Sequence, residues 1–303
     1  MSLQVQNLTK TYANQNALDQ VSFEAEKGQV LGFLGPNGAG KSTTMKIATG
    51  FLLPDAGDVL VNGVSVLKFP NKVSKLIGYL PEHNPLYLDM YVREFLGFVA
   101  GMYGMKRNFT KQRIEELVAM CGLEVEVHKK IGQLSKGYRQ RVGLAKALIH
   151  DPEVIILDEP TTGLDPNQLV EIRALIKQVA KNKTMILSTH IMQEVEAICD
   201  QVVIINKGKI VASDNLSNLK SLSQQKVLLL ETEEDVELSW FIEIGKVSYP
   251  STAKNIVLVQ VEDIQSSRKS LLNLIDQKGL NLVSIQQKEQ NLEAIFQQLT
   301  QNK

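Results

Sequence analysis

The sequence predicts an α/β fold with a parallel sheet at its core, and three observations carry that expectation. A glycine-rich run, Gly35-Pro-Asn-Gly-Ala-Gly-Lys-Ser-Thr43, follows a short apolar stretch at Val30 to Leu34 and leads into a helix opening at Ser42. Three more apolar, β-branched runs, Val154 to Leu157, Met185 to Leu187 and Val202 to Ile205, show no alternation and so suit strands covered on both faces. Segments of helical spacing separate them, as βαβ units require.

The remaining elements follow in order. Residues 3–8 and 21–25 alternate apolar with polar side chains, as half-buried antiparallel strands do, with a turn at Ala13-Asn-Gln-Asn16 between them. Val59 to Val61 extends that sheet. From Asn84 to His150 the period becomes helical: Phe95, Phe98, Val99 and Met102 form one apolar stripe and Ile114, Leu117, Val118 and Cys121 another, a helical insertion. After Gly208 comes a short strand and then a polar stretch, Ser213 to Gln225, which marks a boundary near residue 220. This divides a large domain, 1–219, from a small one, 220–303. In the small domain, strand-like runs at Val227 to Leu230, Ile256 to Val261 and Leu280 to Ile285 alternate with a helical stripe through Leu271, Leu272 and Ile275. A final helix is expected over Leu292 to Leu299, the whole forming a small open α/β sandwich with Trp240, beside Phe241, as a core residue.

Composition narrows the function. The 303 residues carry 33 Lys and Arg against 33 Asp and Glu, so no global field draws the chain to nucleic acid or to an anionic membrane. The basic residues Lys129, Lys130, Lys136, Arg139, Arg141 and Lys146 lack interleaved aromatics and read as helix surface, not as a nucleic-acid site. Cys121 and Cys199 form no Cys-x-x-Cys pair and have no neighbouring His at ligand spacing, which argues for a reducing compartment and against structural zinc; both are expected to be buried hydrophobes. The longest apolar region, near Phe95 to Met105, is interrupted by three glycines, so neither a membrane span nor secretion is expected.

The glycine-rich run has the chemistry of a triphosphate cradle. Backbone N–H groups must curl around phosphate oxygens, and Gly35, Gly38 and Gly40 permit that curl while Pro36, Asn37, Ala39 and Thr43 complete the loop. Lys41 can place its charge on the β and γ phosphates, Ser42 can offer its hydroxyl to Mg²⁺, and the following helix turns its positive end toward the anion. Downstream, Asp158 and Glu159 end an apolar run, and ligands of open α/β sheets gather at the carboxyl ends of strands. Alone, such an acidic pair before Pro160 is a helix cap or a turn. Beside a phosphate loop, Asp158 reads as a Mg²⁺ holder through water and Glu159 as the general base for water attacking the γ phosphate.

Five motifs in this order, Gly35 to Thr43, Leu134-Ser-Lys-Gly-Tyr-Arg-Gln-Arg141, Leu157-Asp-Glu-Pro160, Gly163-Leu-Asp-Pro166 and Ser188-Thr-His190, resemble the ATPase subunits of ABC transporters over roughly residues 3–215. The stretch Gly78 to Arg93 and the tail most resemble the gliding-motility-associated exporter-type branch. The resemblance implies a P-loop NTPase fold with a mixed sheet core, an antiparallel β subdomain, a helical subdomain over about 84–150 and a small α+β C-terminal domain. It implies ATP and Mg²⁺ as ligands, hydrolysis, and a head-to-tail dimer in which Ser135 and Gly137 of one chain face the nucleotide held by the other. Asp165 would lie at the dimer seam, Tyr12 would stack on adenine, and His190 would sense the γ phosphate; as bare residues these are a turn, a packing aromatic and a structural histidine.

The sequence departs from the family pattern in two places. Glu82 stands where a glutamine commonly touches Mg²⁺, and Lys136 and Tyr138 replace the usual glycine and glutamine. A carboxylate at Glu82 can still bind metal but adds charge beside the phosphates; Lys136 either strengthens phosphate attraction or stays solvated. The resemblance further implies a separate membrane-spanning permease, docked on the helical insertion and the loop Glu82 to Tyr91, an export role, and a cytoplasmic location on the inner face of the membrane. The soluble ABC ATPases of chromosome maintenance need long coiled coils, and those of translation usually two cassettes; neither feature is present. A cassette that binds ATP without turnover is disfavoured by Lys41, Asp158, Glu159 and His190 together.

Overall fold

The computed structural model describes residues 2–13, 15–223, 226–250, 253–288, 292, 293 and 296. Strand β1 (Leu3–Tyr12) pairs antiparallel with β2 (Gln15–Ala25), from Leu3 opposite Ala25 to Tyr12 opposite Gln15. Both strands reach further than the alternation suggested, so the turn is tighter than Ala13 to Asn16. A register shift between Val5 and Leu8 returns Leu8 to the buried face, which keeps Leu3, Val5 and Leu8 together in the core despite their uneven spacing. Next, β3 (Val30–Leu34), buried at every residue, enters α1 (Lys41–Ala48) through the glycine-rich loop. β4 (Ala56–Val61) returns to pair with β1, and β5 (Val64–Ser65) pairs with β4, giving a four-stranded antiparallel sheet in the order β2-β1-β4-β5.

The chain then runs through α2 (Pro70–Val73) and β6 (Ile77–Leu80) into three helices, α3 (Val92–Met102), α4 (Arg107–Met120) and α5 (Lys136–Leu148). It returns as β7 (Val154–Asp158), α6 (Pro166–Ala180), β8 (Thr184–Thr189), α7 (Met192–Ile198), β9 (Gln201–Asn206) and β10 (Lys209–Asn215). The second sheet is ordered β10-β9-β3-β8-β7-β6 and is mixed: β10 pairs antiparallel with β9, and the other pairings are parallel. β7 and β8 are buried at every residue, as the apolar runs Val154 to Leu157 and Met185 to Leu187 within them lead one to expect. Leu3, Leu8, Leu18, Val21 and Phe23 of the first sheet share one core with Phe33, Ile156, Ile186 and Val203 of the second. Phe23 and Phe33 meet there with ring centroids 4.9 Å apart.

The helical insertion differs from its expected stripe. Phe95 and Val99 are buried, but Phe98 and Met102 are 43% and 72% exposed and line an open cleft instead of the core. Phe98 and Met102 each stand three residues beyond a buried position, Phe95 and Val99, and so sit at the stripe's edge. Ile114, Leu117, Val118 and Cys121 are buried as a set, and burial pushes the Cys121 thiol up to about 12. Cys199 is buried too.

The chain divides into two compact units, Met1–Leu216 and Ser217–Lys303. The polar stretch read as a boundary is not a loop: it ends β10 and forms α8 (Leu216–Ser223), in which Leu216 and Leu219, three residues apart, supply the buried side. In the second unit, β11 (Lys226–Thr232), β12 (Lys246–Ser248), β13 (Ile256–Val261), α9 (Ile264–Lys278) and β14 (Leu282–Lys288) build an antiparallel sheet in the order β12-β13-β11-β14. The helix is capped at its start by Asp263, whose carboxylate accepts from the Ser266 N–H at 2.8 Å, and stopped by Gly279 in the left-handed region. Leu228, Leu230, Phe241, Val257, Val259 and Leu271 form its core; Trp240 is half-buried against them, with the Lys278 ammonium 5.0 Å from its ring. Leu280 belongs to the helix stop, so the last strand begins at Leu282. The helix expected over Leu292 to Leu299 lies mostly outside the described residues.

Candidate active site

The loop from Gly35 to Thr43 connects the end of β3 to α1, and two of its glycines are required by their surroundings. A Cβ on Gly35 would lie 2.4 Å from the Ile205 carbonyl oxygen. Gly40 has a φ of 109°, and a Cβ there would come within 2.6 Å of the Ala17 carbonyl oxygen. Asn37 and Gly38 are exposed at the tip, Ala39 is buried, and Ser42 and Thr43 are half-buried on the first turn of α1. The Ala39 N–H donates to the Pro36 carbonyl at 3.2 Å, closing the turn.

Lys41 is only 6% exposed, yet its ammonium is well partnered. It donates to the carbonyls of Gly35 at 2.8 Å and Pro36 at 3.3 Å, and lies 3.6 Å from Glu159 Oε1. Glu159 directly follows β7, with φ at 51°, a left-handed conformation uncommon for a residue with a Cβ. Its N–H donates to the Ser188 carbonyl at 2.9 Å. Its carboxylate faces His190 Nδ1, 3.0 Å from both oxygens, and accepts from the Thr162 hydroxyl at 3.3 Å. Lys41, Glu159 and His190, from three separate segments, thus meet at one point.

Asp158, at the last position of β7, is 2% exposed. Burial raises its pKa above the ordinary aspartate value, the hydroxyls of Ser188 and Ser42 pull it down, and the charges of Glu159 and Glu82 raise it again. Its Oδ1 has no hydrogen-bond partner, the position of an acceptor made for something else. Ser42, Asp158 and Glu82 provide oxygen donors only, the set Mg²⁺ prefers, so the residues fit that ion. Among the described residues no group of three His, Cys, Asp or Glu side chains could hold a metal by itself.

The other expected site residues lie elsewhere. Tyr12 ends β1 at 49% exposure with the Lys10 ammonium 5.8 Å from its ring. Ser135 is the N-cap of α5, its hydroxyl accepting from the Tyr138 N–H at 3.4 Å, while Gly137 is buried against Gln168 of α6. Asp165 is the N-cap of α6, accepting from the Gln168 N–H at 2.9 Å with Pro166 as the first helical residue. Lys136 is exposed and reaches over Gly163 of the same chain. One group escaped the sequence reading: Glu194 of α7, 2% exposed, accepts from the hydroxyls of Thr161 and Thr189. Its signal was a carboxylate on the same helical face as Ile191, Val195 and Ile198.

A family model described as "ABC transporter" matches residues 18–162. The linearmycin resistance ATP-binding protein LnrL of Bacillus subtilis is 33% identical over 304 residues, covering 98% of both chains. The chain belongs to the ABC transporter ATP-binding proteins. The bacitracin transport ATP-binding protein BcrA of Bacillus licheniformis is 32% identical over 97% of this chain and 95% of its own. Among solved structures, the ATP-binding cassette MJ0796, a dimer in a post-hydrolysis state bound to ADP and Pi, superposes with a TM-score of 0.65 at 26% identity over 71% of this chain and 98% of that one. The protein is therefore the ATP-binding subunit of an ABC transporter and hydrolyses ATP for transport.

Proposed function

We propose that this ATPase works as a head-to-tail pair that closes on two ATP molecules and drives a separate membrane-spanning permease, in the direction of export. The observation that carries the chemistry is the Glu159 carboxylate, held between the Lys41 ammonium and the His190 ring beside the phosphate loop. Glu159 takes the proton of the attacking water, His190 orients that water against the γ phosphate, and Lys41 neutralises charge on the departing phosphoryl group. Mg²⁺, when bound, would be held by Ser42 and Asp158 with Glu82 alongside, and supplies neutralisation of the phosphate charge. Tyr12 stacks on adenine, and the capped start of α5, with Ser135 and Gly137, reads the γ phosphate held by the partner copy, while Asp165 lies at the seam.

Support for a membrane partner comes from an apolar cleft of about 1150 Å³ in the first unit, flanked by Phe51, Tyr87, Phe98 and Met102. Those four side chains are 43% to 77% exposed, a patch suited to the apolar face of a helix from the permease. No helix among the described residues is long and apolar enough to cross a membrane; in this reading the cleft is the contact that holds the subunit on the inner face. Export is favoured by the resistance and transport names of the two relatives that span nearly the whole chain. The narrower likeness of Gly78 to Arg93 to the gliding-motility branch has no counterpart in those names. The first domain, 1–219, carries nucleotide chemistry, and the second, 220–303, supports or regulates the pair.

The decisive experiment is Glu159→Gln. The variant keeps ATP binding, accumulates the nucleotide-bound dimer in size-exclusion chromatography, and loses steady-state turnover by about 10² to 10⁴-fold. Turnover at the wild-type rate rejects Glu159 as the base.

A further inference from the structure

Glu194 has a setting the proposed chemistry leaves unused. Its carboxylate is 2% exposed, and its two oxygens accept from two hydroxyls on different segments: Oε1 from Thr161 and Oε2 from Thr189, the latter at 2.8 Å. Thr161 is 3% exposed and Thr189 fully buried, so water cannot replace either donor. The Thr189 hydroxyl also accepts from the Ile191 N–H at 3.1 Å, bracketing His190 from both sides along the chain.

The two tethered segments are those that bear the reacting pair. Thr161 stands two residues beyond Glu159, on the turn that leads to Asp165; Thr189 immediately precedes His190. A carboxylate can accept an O–H donor on each of its two oxygens, whereas an amide in its place offers one acceptor oxygen and an N–H₂ donor. We infer that Glu194 is a positioning residue for hydrolysis: it ties the turn after Glu159 to the end of β8 and thereby fixes the His190 ring against the Glu159 carboxylate. The inference rests on the assignment of those two residues given above. It concerns geometry in the transition state, where a displacement of about 1 Å can cost on the order of 10² in rate.

Glu194→Gln keeps the size and one acceptor but presents an N–H₂ group to one of the two hydroxyls. Thr189→Val and Thr161→Val each remove one leg of the tie at nearly constant volume. The expected result for Glu194→Gln is a fall in kcat of about 10 to 100-fold, with KM for ATP within about twofold of wild type. The Glu194→Gln, Thr189→Val double variant loses no more than the worse single variant, because both remove the same tie. Should Glu194→Gln fail to fold, Thr161→Val and Thr189→Val carry the same readout. An unchanged kcat in the soluble variants overturns the inference, as does a KM that rises in proportion to the fall in kcat, which marks general loosening. Glu159→Gln run in parallel separates the two layers: if it turns over normally the base assignment fails, and if it is inactive while Glu194→Gln is normal only the tie fails.

Discussion

Glu159 holds its position against a backbone cost. A left-handed φ on a residue with a Cβ costs about 1 to 3 kcal/mol, and here the turn is fixed by the N–H bond to Ser188 and the ring of His190. The adjacency of Asp158 and Glu159 was legible in sequence, because two acids ending an apolar run have one plausible employer beside a phosphate loop. The Thr161–Glu194–Thr189 tie was not, since its partners come from segments whose separation only the folded sheet sets. His150 gives a residue-scale test. Its ring stacks on Tyr103 at a centroid distance of 3.8 Å, its Nε2 lies 3.1 Å from the Ile77 carbonyl, and burial lowers its pKa to about 4 from an ordinary 6.5. The folded pKa is depressed, so the neutral ring's contribution is fully present above pH 6.5 and is lost as pH falls through 4. In thermal melts, the midpoint difference between His150→Phe and wild type should be constant above pH 6.5 and move in favour of the variant as pH drops toward 4. A difference that stays flat down to pH 4 contradicts the buried neutral ring.

At the scale of elements, the start of α6 combines two duties in one side chain. Asp165 caps the helix, with Pro166 pre-set for the first turn, and is also the residue proposed for the seam between copies. Asparagine caps nearly as well as aspartate, whereas alanine does not. Asp165→Ala should therefore lower stability by about 0.5 to 2 kcal/mol in denaturant unfolding, while Asp165→Asn leaves stability unchanged. If charge at the seam matters, Asp165→Asn still reduces turnover; equal activity and stability to wild type would confine Asp165 to capping. The cap itself was open to sequence reading only as a turn before proline, because the helix behind it is polar on most of its first turn. Phe98 and Met102 were misplaced for a related reason: periodicity reports which residues share a helix face, not whether a neighbour covers that face.

For the molecule as a whole, the two units have separate cores, one centred on the sheets around Phe23 and Phe33 and the other around Phe241. Phe241 is fully buried, and its truncation to alanine should cost about 3 to 5 kcal/mol within the second unit. Nucleotide chemistry is assigned to the first domain, so ATP affinity of Phe241→Ala, measured by titration calorimetry, should match wild type even where a second, earlier unfolding transition appears. Loss of ATP binding in the folded variant would overturn that division. The strands of the central sheet were readable from their apolar runs, but their order was not: β3 sits between β8 and β9, an arrangement that no local spacing encodes. In the tail the strands and helix were visible while the antiparallel pairing was not, and β12, three residues long, is too short to leave a pattern.

The contact between Lys41 and Glu159 carries one more implication. A single ammonium cannot serve the carboxylate and an incoming triphosphate equally well, so the arrival of fuel competes for the cation that restrains the base. On the assignment proposed above, loading the fuel would then free the base from its restraint.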